Sequence, residues 1–313
     1  MYGKRKRLAG LLLVLLIILS GCRQEKAPEE REVSMASTLP VKASSPKPLS
    51  ADFKEYWYAG VAELNSYSLL QTRYGEVRNG EAVLIFVTEP FNMDKQVKAD
   101  RPGNTSESVL KLNRVRKFLT GVYPYSIMSS IFYPVADNQH ALKVTASVQE
   151  WCGHVYTQLN TREAFEIVSH SYFESEGDQT LRLPKTTLED EIWTKMRLDP
   201  ESLPLGKLQV IPSLEYLRLK HRPIQAYEAS ASLSENGQIR TYTLTYPQLN
   251  RSLEIYFEGA FPYRIEGWKE TEGAGNKIIT SQGSRKKSLL TPYWQKNGVT
   301  DEILRDSLGL SLQ

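Results

Sequence analysis

The sequence predicts a mainly β fold of the α+β class, an antiparallel curved sheet or half-barrel carrying a few short helices. Three observations predict it. Between Ile224 and Lys269 four alternating apolar/polar runs follow one another across tight turns. Two more runs, Leu142–Leu159 and Ala164–Glu174, flank the turn-forming stretch Asn160-Thr161-Arg162-Glu163. Aromatic residues, sparse before Ala51, are frequent after it.

The N-terminus comes first and sets the compartment. Four cationic residues, Lys4 to Arg7, precede an apolar run from Leu8 to Leu19 and then small residues. That run is shorter than the roughly 20 residues a membrane helix needs, and the order of parts is that of a secretory signal. The run ends Leu19-Ser20-Gly21-Cys22, which resembles the lipobox at which bacterial lipoproteins are diacylated on cysteine and cleaved before it. Residues 1–21 are therefore expected to be a signal peptide and Cys22 the lipidation site. Each buried methylene is worth about 0.8 kcal/mol, so two or more acyl chains hold a protein on a bilayer. The alternatives are an ordinary signal beside an unmodified Cys22, or a short uncleaved anchor. Arg23 stands where proteobacterial lipoproteins retained in the inner membrane commonly carry aspartate. By that resemblance the expected location is the outer membrane, on its periplasmic or surface face.

Residues 22–50 form a lipidated cysteine and a linker. Arg23–Ser50 mixes charges with prolines and serines and has little apolar surface to offset the entropy of ordering it. Residues 51–313 are expected to form a single β-rich globular domain. The formal net charge is +3, and losing Lys4, Arg5, Lys6 and Arg7 with the signal takes it to −1. A near-neutral mature chain excludes an electrostatic case for nucleic acid.

Within the domain, Ala51 to Leu64 suits a helix capped by Ser50, although its Phe, Tyr and Trp also suit a strand. Glu81–Thr88, EAVLIFVT, reads as a buried strand. Thr187 and Asp190 resemble a capping box before LEDEIWTKMRL, a helix that Pro200 and Pro204 stop. The later strands are Ile224–Leu233, Ile239–Tyr246, Ser252–Phe257 and Tyr263–Lys269, with Asn236-Gly237 read as the central pair of a type I′ turn. Tyr123-Pro124-Tyr125 and Phe261-Pro262-Tyr263 are read as edge packing at strand starts, the competing reading being a groove lining. Thr300–Leu308 reads as a short capped helix at the C-terminal end.

The candidate chemistry centres on Gln149-Glu150-Trp151-Cys152-Gly153-His154. Cys22 and Cys152 are the only cysteines, so a lipidated Cys22 leaves Cys152 unpaired. On a strand, residues i and i+2 share a face about 6.5–7 Å apart, which would place Cys152 beside His154 and Glu150 on the same side. A histidine there raises the thiolate fraction and a carboxylate orients the imidazole. If Asn160 pairs with Glu163, Cys152 faces Ser171 and His154 faces Ser169. The competing reading is a small structural thiol and a hydrogen-bonded histidine, with Gly153 allowing close packing. His170 to Asp178 offers carboxylates at a turn without EF-hand spacing, and the histidines at 140, 154, 170 and 221 have no zinc-motif spacing. No metal site or cofactor is expected, and no Walker loop, G-x-S-x-G or H-E-x-x-H occurs.

In order, VYPYSIMSSIF, SVQEWCGHVYTQLN, SHSYFESEGD and LEDEIWTKMRL resemble segments of an uncharacterised family of bacterial lipoproteins seen chiefly in Bacteroidetes. The similarity spans about Ala51 to Lys269. Members often carry the label "septum formation inhibitor Maf", but true Maf proteins hold a Ser-x-Ser-Pro-Arg-Arg phosphate loop at a rigid strand-to-helix turn. Here the nearest string, Ala43-Ser44-Ser45-Pro46-Lys47, lies in the linker and is followed by Pro48. A linker cannot aim backbone N–H groups at a phosphate, so that chemistry is excluded. The resemblance implies no activity. The expectation is a lipid-anchored envelope protein acting as a binding or envelope-maintenance module, with the membrane and an apolar ligand or envelope protein as partners. The alternative is an extracytoplasmic enzyme using Cys152 and His154.

Overall fold

The computed structural model describes residues 49–136, 139–273, 275 and 277–311. The expected signal peptide, Cys22 and nearly all of the expected linker lie outside them. A short helix, α1 (Ala51–Trp57), opens the fold, with Ser50 Oγ accepting from Phe53 N–H as its N-cap. The expected helix stops at Trp57, and Ala62 onward is strand. The chain then runs through β1 (Ala62–Arg73), β2 (Glu76–Asn92), the two-residue β3 (Val97–Lys98), β4 (Ser106–Thr120), β5 (Tyr123–Pro134), β6 (Lys143–Glu150), β7 (Gly153–Thr161), β8 (Phe165–Ser171) and β9 (Gln179–Leu183). After β10 (Thr187–Leu188) come α2 (Glu189–Leu198), β11 (Gly206–Ile211) and α3 (Leu214–Leu219). A second meander follows: β12 (Tyr227–Asn236), β13 (Ile239–Tyr246), β14 (Arg251–Glu258), β15 (Ile265–Glu272) and β16 (Ile279–Thr291), before a last helix, α4 (Ile303–Ser307).

These sixteen strands make one sheet, ordered β10-β11-β12-β13-β14-β15-β16-β1-β2-β4-β5-β6-β7-β8-β9, with β3 on β2. The last strand returns to pair with the first, fusing two meanders side by side. All pairings are antiparallel except β10 with β11. The sheet is large, curved and unclosed, as the sequence predicts. Its concave side is not empty. Helices α2 and α3 lie within it, and their apolar side chains join one core with Tyr67, Leu84, Leu112, Tyr242 and Trp268 from strands of both meanders.

Two turns differ from expectation. Asn236 pairs with Ile239, so the two-residue turn is Gly237-Gln238, with only Gly237 at positive φ (62°). Glycine at the first central position marks a type II′ turn and not type I′. At α2 the N-cap is Leu188, whose N–H donates to Glu191 Oε1 at 3.1 Å. The Thr187–Asp190 box does not form, because Asp190 is drawn inward to Arg114 and to the N–H of Leu214.

Candidate functional site

The stretch around Cys152 is a hairpin tip. Gln149 pairs with His154 and Glu150 with Gly153, which leaves Trp151 and Cys152 as a two-residue turn. The expected single strand from Leu142 to Leu159 is thus two strands. Glu150 Oε2 accepts from the Cys152 N–H at 2.7 Å and closes the turn, and the ring of Tyr172 sits where a Cβ on Gly153 would be, 2.8 Å away. The next hairpin is also longer than expected: Thr161 pairs with Phe165 around a three-residue loop, and Val155, not Cys152, faces Ser171. Ser169 accordingly faces Thr157 and not His154, and the two hydroxyls are 2.8 Å apart.

Cys152 is a free, exposed thiol, and His154 is exposed as well. No hydrogen bond joins them among the described residues. Hydrogen bonding to Glu150, with that carboxylate's charge adding to it, pushes the Cys152 thiol above its ordinary value. An activated nucleophile needs the opposite shift. The chemistry available is a capped turn, with Glu150 serving the backbone. In the neighbouring loop His170 Nδ1 lies 3.3 Å from Asp178, and Glu176 reaches His221 at 2.7 Å and Arg218 at 3.3 Å. Among the described residues no group of three or more His, Cys, Asp or Glu side chains is placed to hold a metal ion.

The concave interior holds charge in place of a ligand. Arg251 meets both oxygens of Glu189 at 2.5 and 2.7 Å and Glu270 at 2.6 Å. Arg197 meets both oxygens of Glu63 at 2.7 and 2.8 Å. Arg116 lies 2.9 Å from Glu215, and Arg114 reaches Asp190 at 3.0 Å. The arginines on β4 and β14 and the acid on β1 thus clamp α2 and α3 from both meanders. Their Arg partners hold Glu63, Glu189 and Glu215 below the usual carboxylate range, overcoming burial, the largest single influence, which raises them. The void left among these groups is about 20 Å³, room for one water.

A larger space lies on the outer face. Val83, Ile85 and Val87 of β2 point away from the core, where a lone sheet would show them to water. Instead the segment after β16 folds back over β16, β1, β2 and β4. Its Leu308 is buried against Ala62, Leu64 and Val87. Ser66 Oγ donates to the Leu308 carbonyl, Lys286 Nζ to the Gly309 carbonyl, and Ser311 N–H to Glu81. Between these fastenings and Tyr293 the roof does not meet the sheet. The result is a cavity of about 330 Å³, floored by Leu64, Val83, Ile85, Val115 and Leu289 and roofed by Leu304, Leu308 and Leu310. Its volume falls in the range of small-molecule sites. A second space of about 350 Å³ beside α1 is bounded by fewer apolar groups and by Asp52 and Glu55, which makes it the poorer container. Cys152, His154 and Glu150 line none of these spaces.

Sequence reasoning did not find this cavity, though signals for it exist. EAVLIFVT is apolar on both faces, which requires a cover on each, and Leu304 and Leu308 share one side of the C-terminal helix at i, i+4. No helix among the described residues is long and apolar enough to cross a membrane. Comparison with family models, with curated proteins and with solved structures finds no match, so the site's meaning rests on its own geometry.

Proposed function

We propose that this chain is an exported protein of the cell envelope, lipid-anchored at Cys22, that works as a binding module with the cavity beneath its C-terminal segment as the ligand site. The signal and lipobox of residues 1–22 support the first part. The observation that carries the second is the roofed apolar space itself. A half-open space of about 330 Å³ with an apolar floor and roof, in the size range of small-molecule sites, is a place for an apolar group. The curved sheet serves as a rigid floor, its own interior filled by α2 and α3.

The test uses N-phenyl-1-naphthylamine, a neutral dye that brightens in apolar surroundings, titrated into the purified full chain and into a Val83→Trp variant. Val83 is half-buried on the cavity floor, so an indole there fills the space without entering the core. Saturable binding by the parent chain, reduced at least tenfold in the variant at unchanged urea midpoint, is the expected result. Equal binding by both, or none by the parent, overturns the reading.

A further inference from the structure

We infer that the cavity takes a single acyl chain bearing an anionic head group, with the chain under the roof and the head among Lys117, Lys296 and Arg305. The inference rests on the ligand-site reading just given and adds the class of ligand to it.

The mouth of the cavity is polar and its charges are unevenly engaged. It carries two carboxylates, Glu81 and Asp301, and three cations, Lys117, Lys296 and Arg305. Both carboxylates are taken. Glu81 accepts from Lys286 Nζ at 3.4 Å and from the Ser311 N–H at 3.1 Å, and Asp301 Oδ2 accepts from the Gly298 N–H at 3.1 Å, starting the last helical turns. The cations are not. Lys117 stands directly opposite Glu81 across the β2–β4 pairing, yet no ion pair joins them, and among the described residues neither Lys117 nor Lys296 has a carboxylate within ion-pair distance. Arg305 donates to the carbonyl of Ser311 at 2.6 Å and likewise has no carboxylate partner there. A lysine's methylene stem lies along apolar surface while its ammonium stays in water, so these cations are well made to border an apolar tail and meet a charged head at its end. Their charge favours an anion and disfavours a cation.

Size sets the scale of the tail. The covered space of about 330 Å³ suits a single chain of medium length better than the paired chains of a diacyl lipid. The same chemistry belongs to a free fatty acid and to a single-chain phospholipid, and the two differ only in the head.

The test is displacement of the bound dye from the purified full chain by dodecanoate, by 1-lauroyl-lysophosphatidylglycerol, by dodecanol, by dodecyltrimethylammonium and by diacyl phosphatidylglycerol vesicles. Dodecanoate or the lysolipid should displace at a concentration at least tenfold below that of dodecanol and lower still against the ammonium, and whichever of the two anions is tighter identifies the source. In a Lys117→Gln, Lys296→Gln double variant that preference should fall to threefold or less while dodecanol binding is kept. Equal displacement by dodecanol, preference for the ammonium, or displacement by vesicles alone overturns the inference while leaving the ligand site standing. Absence of dye binding overturns both.

Discussion

Asp190 should make the protein more stable in mild acid than at neutral pH. It lies in the first turn of α2, 3% exposed, with one oxygen accepting from Arg114 at 3.0 Å and the other from the Leu214 N–H at 3.0 Å. Burial is the largest influence on it and lifts its pKa from 3.8 to about 6, with Glu215 and Glu189 adding to the lift and Arg114 and the Leu214 amide opposing it. The folded state therefore holds this proton more tightly than the unfolded chain does. The resulting stabilisation is fully present below about 3.8 and is lost as pH rises through about 6. A gap of about 2.2 pH units corresponds to about 3 kcal/mol at 1.36 kcal/mol per unit. Between pH 7.5 and 5.0 the folded carboxyl passes from ionised to about ten parts in eleven protonated while the unfolded one stays mostly ionised, which realises about 1.4 kcal/mol. Measurement stops at pH 5.0 because Glu63, Glu189 and Glu215, with pKa values depressed in the fold, add stability that is present above their ordinary 4.5 and drains away below it. The assay is urea unfolding at both pH values for the parent and for Asp190→Asn, which keeps an acceptor for Leu214. The parent should gain about 1.4 kcal/mol more than the variant on acidification. Parallel behaviour of the two chains would refute the argument.

Two further outcomes test the interior and the hairpin tip. Glu63→Gln leaves the Arg197 guanidinium, fully buried beneath Trp57 and Phe86, with no counter-charge, and should cost about 3–5 kcal/mol in urea unfolding. A Glu63→Leu, Arg197→Met double replacement should recover most of that loss, and a double variant no better than the single one would contradict the pairing account. At the tip, Cys152 should react with iodoacetamide in the folded protein, but with a pH midpoint above the ordinary 9.0, and Glu150→Gln should lower that midpoint. A thiolate already formed below pH 8 would restore the case for a Cys152–His154 nucleophile.

The second meander was legible because its strands alternate cleanly and meet at short turns, and β12 to β15 start and end within about three residues of their expected positions. Strand β4 was not legible. Its inward-facing row is Leu110, Leu112, Arg114, Arg116 and Phe118, so two core positions carry charge, and Val115 faces outward into the cavity. Alternation is read from apolar side chains, and here the partners that make arginine tolerable inside, Asp190 and Glu215, arrive from helices some 75 to 100 residues later. The acids that open α2 were not read as core positions for the same reason. Glu189, Asp190 and Glu191 look like a solvated first turn suited to the helix dipole, yet each is buried and each has a partner on another element: Arg251, Arg114, and the Ala141 N–H. The Trp151-Cys152 turn carries no glycine or asparagine at its centre. It is made by the Glu150 side chain, which no turn pattern records.

The same accounting explains why the roofed apolar space lies outside the curve of the sheet and not within it. The two edge strands, β9 and β10, are joined by Pro184-Lys185-Thr186 alone, so from Leu183 to Thr187 the chain spans at most about 14 Å and holds those edges close. Farther along the same seam, Glu176 after β8 meets Arg218 in the last turn of α3 and His221 just beyond it, and Phe173 packs on both. Opening the interior would strip paired partners from Arg114, Arg197 and Arg251, each removal costing several kcal/mol. The C-terminal roof is fastened by Leu308 and by a few hydrogen bonds at its far end, two of which, through Lys286 and Ser311, are exposed to water. Segments with few buried contacts open at free energies well below that of global unfolding. On the proposed reading a guest would enter beneath this weakly held roof, while the paired charges keep the interior shut.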